Sequence, residues 1–300
     1  MYKKFAVILF FIGAFVSLKA QNTLPNTNIY LFDIEQPTDT TYKFTHPQFL
    51  TYFNEHGYNN QPSFFSRNEL YITCGEPYSN QTDLYLLDFS KKTKVKVTET
   101  PESEFSPRRM PDYYSFSAIR QEPTAKDTLL RLWQFPLDRT TDGKPVFKYI
   151  TNIGYYYWLS GYQVAVFIVD DPNYLAIAST RTDELNPIAT NVGRCFQQMS
   201  NGNLVYVQKD PYSNNAILMQ KNIYQVSSAP VPIAPMLSGS EDFVIMPNGT
   251  FLAGRGSKIY KLNPIEDDQW IEIVDLSFYD ITKITRMAIS PDFKIAVVSE

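Results

Sequence analysis

Short alternations of apolar and polar residues fill this chain, and sustained helical periodicity is nearly absent. The alternating runs are Asn28–Ile34, Glu69–Thr73, Asp83–Phe89, Thr93–Thr98, Tyr114–Ile119, Leu129–Phe135, Gln163–Val169, Tyr174–Ala178, Leu204–Gln208, Ile259–Leu262, Ile271–Leu276 and Lys294–Val298. Side chains alternate between the two faces of a strand, so each run predicts a β-strand. The breaks between runs carry turn residues, such as Asn201-Gly202, Pro247-Asn248-Gly249, Asp142-Gly143 and Asp171-Pro172-Asn173.

The pattern also repeats at long range. A serine or proline leads into a polar turn, and a strand follows. The turn residues Asn68, Asp112, Gly161, Asn201, Asn248 and Asp292 are equivalent, with spacings of 44, 49, 40, 47 and 44. Six units of this length predict an all-β, six-bladed β-propeller of four-stranded blades. The last unit stops at Glu300 after two strands. The chain begins with an orphan strand, Asn28–Ile34, that matches Asp83–Phe89, the third strand of the first complete blade. The N-terminal strands are therefore expected to complete the C-terminal blade and close the ring, which removes two sheet edges.

These units resemble a known repeat. Pro62–Ser66 with Leu70–Thr73, then Asp83–Asp88, then Val97-Thr98 with Ser103–Pro107 and Pro111-Asp112, is similar to the WD40-like (PD40) repeat of the TolB type. Ile289-Ser290-Pro291-Asp292-Phe293-Lys294-Ile295-Ala296 is similar to its Ser-Pro-Asp-Gly-Lys core, with Phe293 where that core has Gly. The resemblance covers residues 57–120 and 286–300, and between them only the rhythm persists. It implies a fold and no chemistry. TolB proper has an N-terminal α/β domain, for which residues 21–56 are too few, so the resemblance implies a bare propeller. The leader and the repeat wording resemble secreted propellers of the Bacteroidota.

Residues 1–20 read as a signal peptide: Lys3 and Lys4, an apolar run over Phe5–Val16, and Ala20 before a cleavage point. That run is short for a membrane span, and no cysteine near the cut offers a lipid anchor. The remainder, 21–300, is expected to be one propeller domain, periplasmic or secreted. It carries 24 basic and 31 acidic residues, a formal charge of −7. That balance argues against nucleic acid as a partner. No later segment is apolar enough for stable membrane insertion. Aromatic residues make up 15% of the chain and charged residues only 19%, a composition suited to a packed β core. The two cysteines, Cys74 and Cys195, fall on different blades and are expected to be free buried thiols.

Local catalytic motifs are scarce. Gly254–Lys258 lacks phosphate-loop spacing and lies between two strands, so it reads as a hairpin turn. A Ser-His-Asp triad needs a histidine base, and His46 and His56 both sit in aromatic sequence. The acidic pairs Glu102/Glu104, Asp170/Asp171, Glu241/Asp242 and Asp267/Asp268 lie in turns, where carboxylates commonly cap N–H groups. No catalytic residue, resident metal or cofactor is assigned. Calcium held by ligands from several blades stays open, because such ligands have no local signature.

The stretches Asn59–Gln61 and Glu102–Arg109 are expected to precede innermost strands and rim the channel. The channel-face candidates are Glu104, Arg108, Arg109, Arg120 and Arg194, since guanidinium groups suit carboxylate or phosphate. An inter-blade salt bridge is the alternative for the same residues. Within Tyr155–Trp158, Tyr156 and Trp158 are aromatic binding candidates, with core packing as their alternative. The expected function is a non-enzymatic module that binds a protein, peptide or glycan in the cell envelope or outside the cell. The alternative is a propeller hydrolase or lactonase with a metal or acid cluster at the channel.

Overall fold

The structure is a computed structural model that describes residues 24–38, 41–125, 127–225 and 227–300. The leader expected over residues 1–20 lies outside the described residues. Two strands come first, β1 (Asn28–Thr38) and β2 (Thr41–Phe49). Blade one comprises β3 (Tyr58–Phe64), β4 (Glu69–Gly75), β5 (Asp83–Asp88) and β6 (Thr93–Lys96). Blade two comprises β7 (Ser103–Arg109), β8 (Ser115–Pro123), β9 (Thr128–Pro136) and β10 (Lys144–Pro145). Blade three comprises β11 (Ile153–Trp158), β12 (Gln163–Ile168), β13 (Tyr174–Ser179) and β14 (Leu185–Thr190). Blade four comprises β15 (Val192–Gln198), β16 (Leu204–Lys209), β17 (Ala216–Lys221) and β18 (Val231–Pro235). Blade five comprises β19 (Phe243–Ile245), β20 (Phe251–Arg255), β21 (Lys258–Leu262) and β22 (Ile271–Asp275). Then come β23 (Ile284–Ile289) and β24 (Lys294–Ser299).

Blade six joins the two ends of the described chain, in the order β23-β24-β1-β2. The register runs antiparallel from Asn28 opposite Ser299 to Asp33 opposite Lys294. The clasp is therefore two strands from each end, as the orphan strand predicts. Thr27 extends it sideways: its Oγ1 donates to the Asn59 carbonyl at 2.8 Å, and Asn59 Nδ2 returns a bond to the Thr27 carbonyl at 2.8 Å. Asn59 is fully buried, so these bonds satisfy groups that water cannot reach.

The core is a ring of seams. Six apolar clusters are described, one at each junction between neighbouring blades. The clasp seam packs Ile29, Leu31, Ala296 and Val298 against Leu70, Ile72 and Leu87 of blade one. Both faces of a blade meet a neighbour, so the second strands are apolar on both faces. All but the first residue of β24 are buried, whereas β22 has no buried residue. Fully burying a side chain of this size contributes about 1.5–3 kcal/mol, which makes the second strands the main holders of the ring.

All six repeat turns form the hairpin between an innermost strand and the second strand. Asx and Ser turns explain their composition. Asp112 Oδ1 accepts from the N–H groups of Tyr114 and Ser115, both at 2.9 Å, and Ser290 Oγ accepts from Lys294 N at 2.8 Å. The Gly254–Lys258 segment is likewise a hairpin: Arg255 pairs with Lys258, and Gly256 takes φ +58° at the turn.

One expectation is displaced. Asn59–Gln61 and Ser103–Arg109 do not precede innermost strands; they form them, in β3 and β7. Five of the six innermost strands carry register shifts, at Asn60/Ser63, Phe105/Arg108, Ile153/Tyr155, Val192/Phe196 and Ile284/Arg286. Gln61 and Ser106 take positive φ there, +54° and +55°. A bulge breaks the two-residue period, so these strands do not read as strands.

Candidate functional site

The innermost strands β3, β7, β11, β15, β19 and β23 line a central channel. They run in the same direction and end at what is here termed the hairpin face. Midway along lies a cavity of about 50 Å³. Each innermost segment contributes at least one residue from its bulge region or start, among them Gln61, Ser106, Tyr155, Arg194, Asp242 and Arg286. A wider mouth of about 420 Å³ opens beyond it on the hairpin face. The two share Pro62, Ser63, Arg108, Gln197 and Met287 as walls.

The amides of the cavity are already engaged. Gln61 Oε1 accepts from Thr73 Oγ1 and from Ser106 N, both at 2.8 Å, so it ties blade one to the bulge of blade two. Gln197 Nε2 donates to the Phe243 carbonyl at 2.7 Å. The guanidinium groups are less satisfied. Arg194 reaches past blade five, and its Nη2 donates to the Thr285 carbonyl at 2.7 Å. Arg286 lies over the Tyr155 ring, 5.3 Å from its centroid. The Nε of each is buried with no acceptor in the protein, as is Ser106 Oγ. Arg108 lies over the Tyr157 ring at 5.0 Å, where the cavity meets the mouth.

Among the described residues Asp242 is the single acid lining the cavity. It is 7% exposed, and its Oδ2 accepts from Met287 N at 2.7 Å. Burial pushes its carboxyl above the usual aspartate range, and Arg286 and Arg194 pull it partly back. Burial also raises the Tyr58 phenol, to about 12. Three guanidinium groups against one carboxylate leave the axis cationic in a chain of formal charge −4.

The residues singled out by sequence divide clearly. Arg108 and Arg194 line the channel. Glu104 and Arg120 do not: they are buried within blade two as an ion pair, Arg120 Nε to Glu104 Oε1 at 2.9 Å. Arg120 also lies 4.1 Å from the Trp133 ring centroid. Arg109 sits beside the mouth, where Nη1 donates to the Phe65 carbonyl at 2.8 Å and Nη2 to the Tyr113 carbonyl at 3.3 Å. Tyr156 is 3% exposed, and its hydroxyl donates to the Ser106 carbonyl at 2.9 Å. Trp158 is half-buried, with Nε1 donating to Ser117 Oγ at 2.9 Å, and it lines a shallow groove with Arg109 and Tyr113. Tyr155 and Tyr156 border the cavity and Tyr157 the mouth, whereas Trp158 borders neither.

The remaining candidates are peripheral, except Cys195, which borders the cavity. Glu241 pairs with Lys209 at 2.5 Å and Asp267 with Lys261 at 2.8 Å. His46 Nδ1 lies 2.9 Å from Asp33 Oδ2 in an exposed pair. Both cysteines are free, Cys74 buried and Cys195 half-buried, and burial pushes both thiols up. Among the described residues no three His, Cys, Asp or Glu side chains converge.

Arg286 escapes local motif reading, Asp242 reads only as half of a turn pair with Glu241 and Tyr155 only as part of the Tyr155–Trp158 run, yet the repeat carries the signal of all three. Gln61, Ser106, Tyr155, Arg194, Asp242 and Arg286 each stand six or seven residues before the turn residue of their unit.

No family model matches the chain, and no curated protein does. Solved structures share its fold. TolB from Acinetobacter baumannii matches 91% of this chain with a TM-score of 0.56 at 13% identity, and this chain covers 64% of that one, just under two thirds of its length. A TolB-like protein of Agrobacterium tumefaciens matches the same share with a TM-score of 0.63 at 12% identity, covering 98% of that chain. A chain of a nidogen/laminin complex matches with a TM-score of 0.59 at 8% identity, over 91% of this chain and 98% of that one. These neighbours are TolB-type and related propellers, and at such identities the likeness is one of fold.

Proposed function

We propose that this protein is a binding propeller, periplasmic or secreted, that takes a protein or peptide segment over the channel mouth on the hairpin face. The observation that carries the reading is the lining of that mouth. Met199, Met246, Met287, Ile245 and Ile289 surround an open volume of about 420 Å³, with Arg108 on its wall. Methionine adapts its shape to apolar side chains, and an arginine beside an apolar pocket is a common anchor for binding. Tyr113 and Tyr114 stand exposed on the same face, at 66% and 81%. A fold neighbour from a nidogen/laminin complex gives a precedent for a propeller in a protein assembly. The hydrolase alternative is less well supported, because among the described residues a two-carboxylate mechanism finds no second acid beside Asp242 in the cavity. The leader-like residues 1–20 support an address outside the cytoplasm.

Selection of binders from a random peptide library, followed by hydrogen-exchange footprinting, tests this reading. Protection is expected at residues 62–64, 199–200, 245–247 and 289–291, and Met199→Glu should abolish it. Protection confined to the opposite face, or binding of glycans but no peptides, would overturn it.

A further inference from the structure

We infer that the channel cavity is a carboxylate-binding site, in which Arg286 and Arg194 receive a carboxylate whose apolar body occupies the mouth. The inference rests on the mouth being the docking site proposed above and names the chemical group that would anchor there.

Two independent observations meet in the cavity. The first is unmet hydrogen bonding. Arg194 Nε, Arg286 Nε and Ser106 Oγ are buried, lack a partner within the protein, and belong to residues that line the same cavity. All three can donate, and a guanidinium can do nothing else. Buried donors without acceptors are costly, so the cavity favours an occupant rich in acceptor oxygens. The second is charge. Arg108, Arg194 and Arg286 face Asp242 alone among the acids. The Tyr58 phenol and the Cys195 thiol beside them are groups that carry no charge near neutrality. Burial raises Tyr58 and Cys195 further from ionisation. Asp242 Oδ2 accepts from Met287 N at 2.7 Å, and its carboxylate attracts Arg286 and Arg194 without a direct salt bridge to either. The guanidinium groups therefore remain open to a second anion.

Size and shape select the group. A cavity of about 50 Å³ holds a carboxylate or a few waters. A carboxylate is flat and accepts from guanidinium in two parallel bonds. The wider mouth then fits whatever carries it, and the lining of Met199, Ile245 and Ile289 favours an apolar carrier. Two sources share this chemistry: a free organic acid, and the C-terminus of a peptide with apolar final residues.

Calorimetric titration of the purified protein separates them. One arm uses benzoate and hexanoate; the other uses short peptides ending in Leu or Phe, each with a free and an amidated C-terminus. Inorganic phosphate serves as a further probe. Binding of carboxylates, loss on amidation, and weakening by about tenfold or more in Arg286→Met are expected. Arg286→Lys, which keeps the charge but not the fork, should retain part of the affinity and guards against a folding defect, with the thermal melt of each variant as control. Binding by free acids alone identifies a small-molecule site; binding by free-ended peptides alone identifies a terminus. Equal affinity of free and amidated peptides, or unchanged affinity in Arg286→Met, would overturn the carboxylate site while leaving the peptide-binding reading intact. Binding of neither acids nor peptides would overturn both.

Discussion

Glu104 and Arg120 stand directly opposite one another across β7 and β8, joined by a single hydrogen bond of 2.9 Å. Both side chains are almost wholly buried, at 0% and 7% exposure. Thr100 Oγ1 also donates to Glu104 Oε1 at 2.6 Å, while Glu104 Oε2 and Arg120 Nη2 have no partner. Burial outweighs the attraction of Arg120, so the Glu104 carboxyl lies above its usual range. Removing one member strands the other. Arg120→Ala should cost about 3–5 kcal/mol, read by denaturant unfolding, with binding at the mouth unchanged. Replacing both by apolar residues, as in Glu104→Leu with Arg120→Met, should recover much of that loss. A stable Arg120→Ala variant that had lost ligand affinity would show that this residue belongs to a site after all.

The clasp carries a second expectation. Deleting residues 22–34 removes β1 pairing along Ile29–Asp33 and the apolar contacts of Ile29 and Leu31 with Leu70 and Ile72. Cooperative unfolding should be lost across the ring, because the seams on both sides of blade six open together. Calorimetry that returned a single transition at the wild-type melting temperature would reject this.

Asp242 predicts a pH dependence. Burial raises its carboxyl above the ordinary aspartate value, so the folded protein holds the proton more tightly than the unfolded chain. The associated stability is complete below the unfolded pKa and is lost as pH rises through the folded pKa. The amide introduced by Asp242→Asn cannot titrate and still offers Met287 N an acceptor. The melting temperature of wild type minus that of Asp242→Asn should therefore fall as pH rises from about 4 toward neutrality. A gap independent of pH would mean that burial does not dominate at this site.

Gly254 lies at the seam between blades five and six. A Cβ placed there would meet Ile284 Cγ2 at 2.4 Å and Cβ at 2.7 Å. Gly254→Ala should destabilise by roughly 1–3 kcal/mol through overpacking. A thermal melt of this variant beside Gly161→Ala, where a Cβ meets nothing within 4 Å, separates crowding from loss of glycine itself.

The repeat was legible because hairpin turns have fixed chemistry: Asp112, Asn201 and Asn248 accept backbone bonds that few other residues can. Closure was legible because Asn28–Ile34 needed a blade to join. The channel was less so. Bulges at Gln61 and Ser106 erase the alternation of β3 and β7, and one face of each innermost strand borders the channel instead of a seam. Arg120 and Tyr156 are polar-tipped residues whose chemistry suits a ligand, yet Glu104 and Ser106 claim them internally. Arg194, Asp242 and Arg286 are 44 to 92 positions apart and meet only because six blades close into a ring.

The two-plus-two composition of blade six also constrains how the molecule is made. Blades one to five are continuous in the chain and can assemble in the order in which a ribosome delivers them. The strand β1 is produced before blades one to five, yet its partner β24 follows them. Until β24 is made, Ile29 and Leu31 lack Ala296 and Val298, and Phe32 lacks Ile295 and Val297. Contacts this distant in sequence form slowly, and an apolar edge strand left waiting is a template for mispairing. Until β24 is made β1 lacks its ring-closing partner, and a holding factor on that edge would be most useful in this interval.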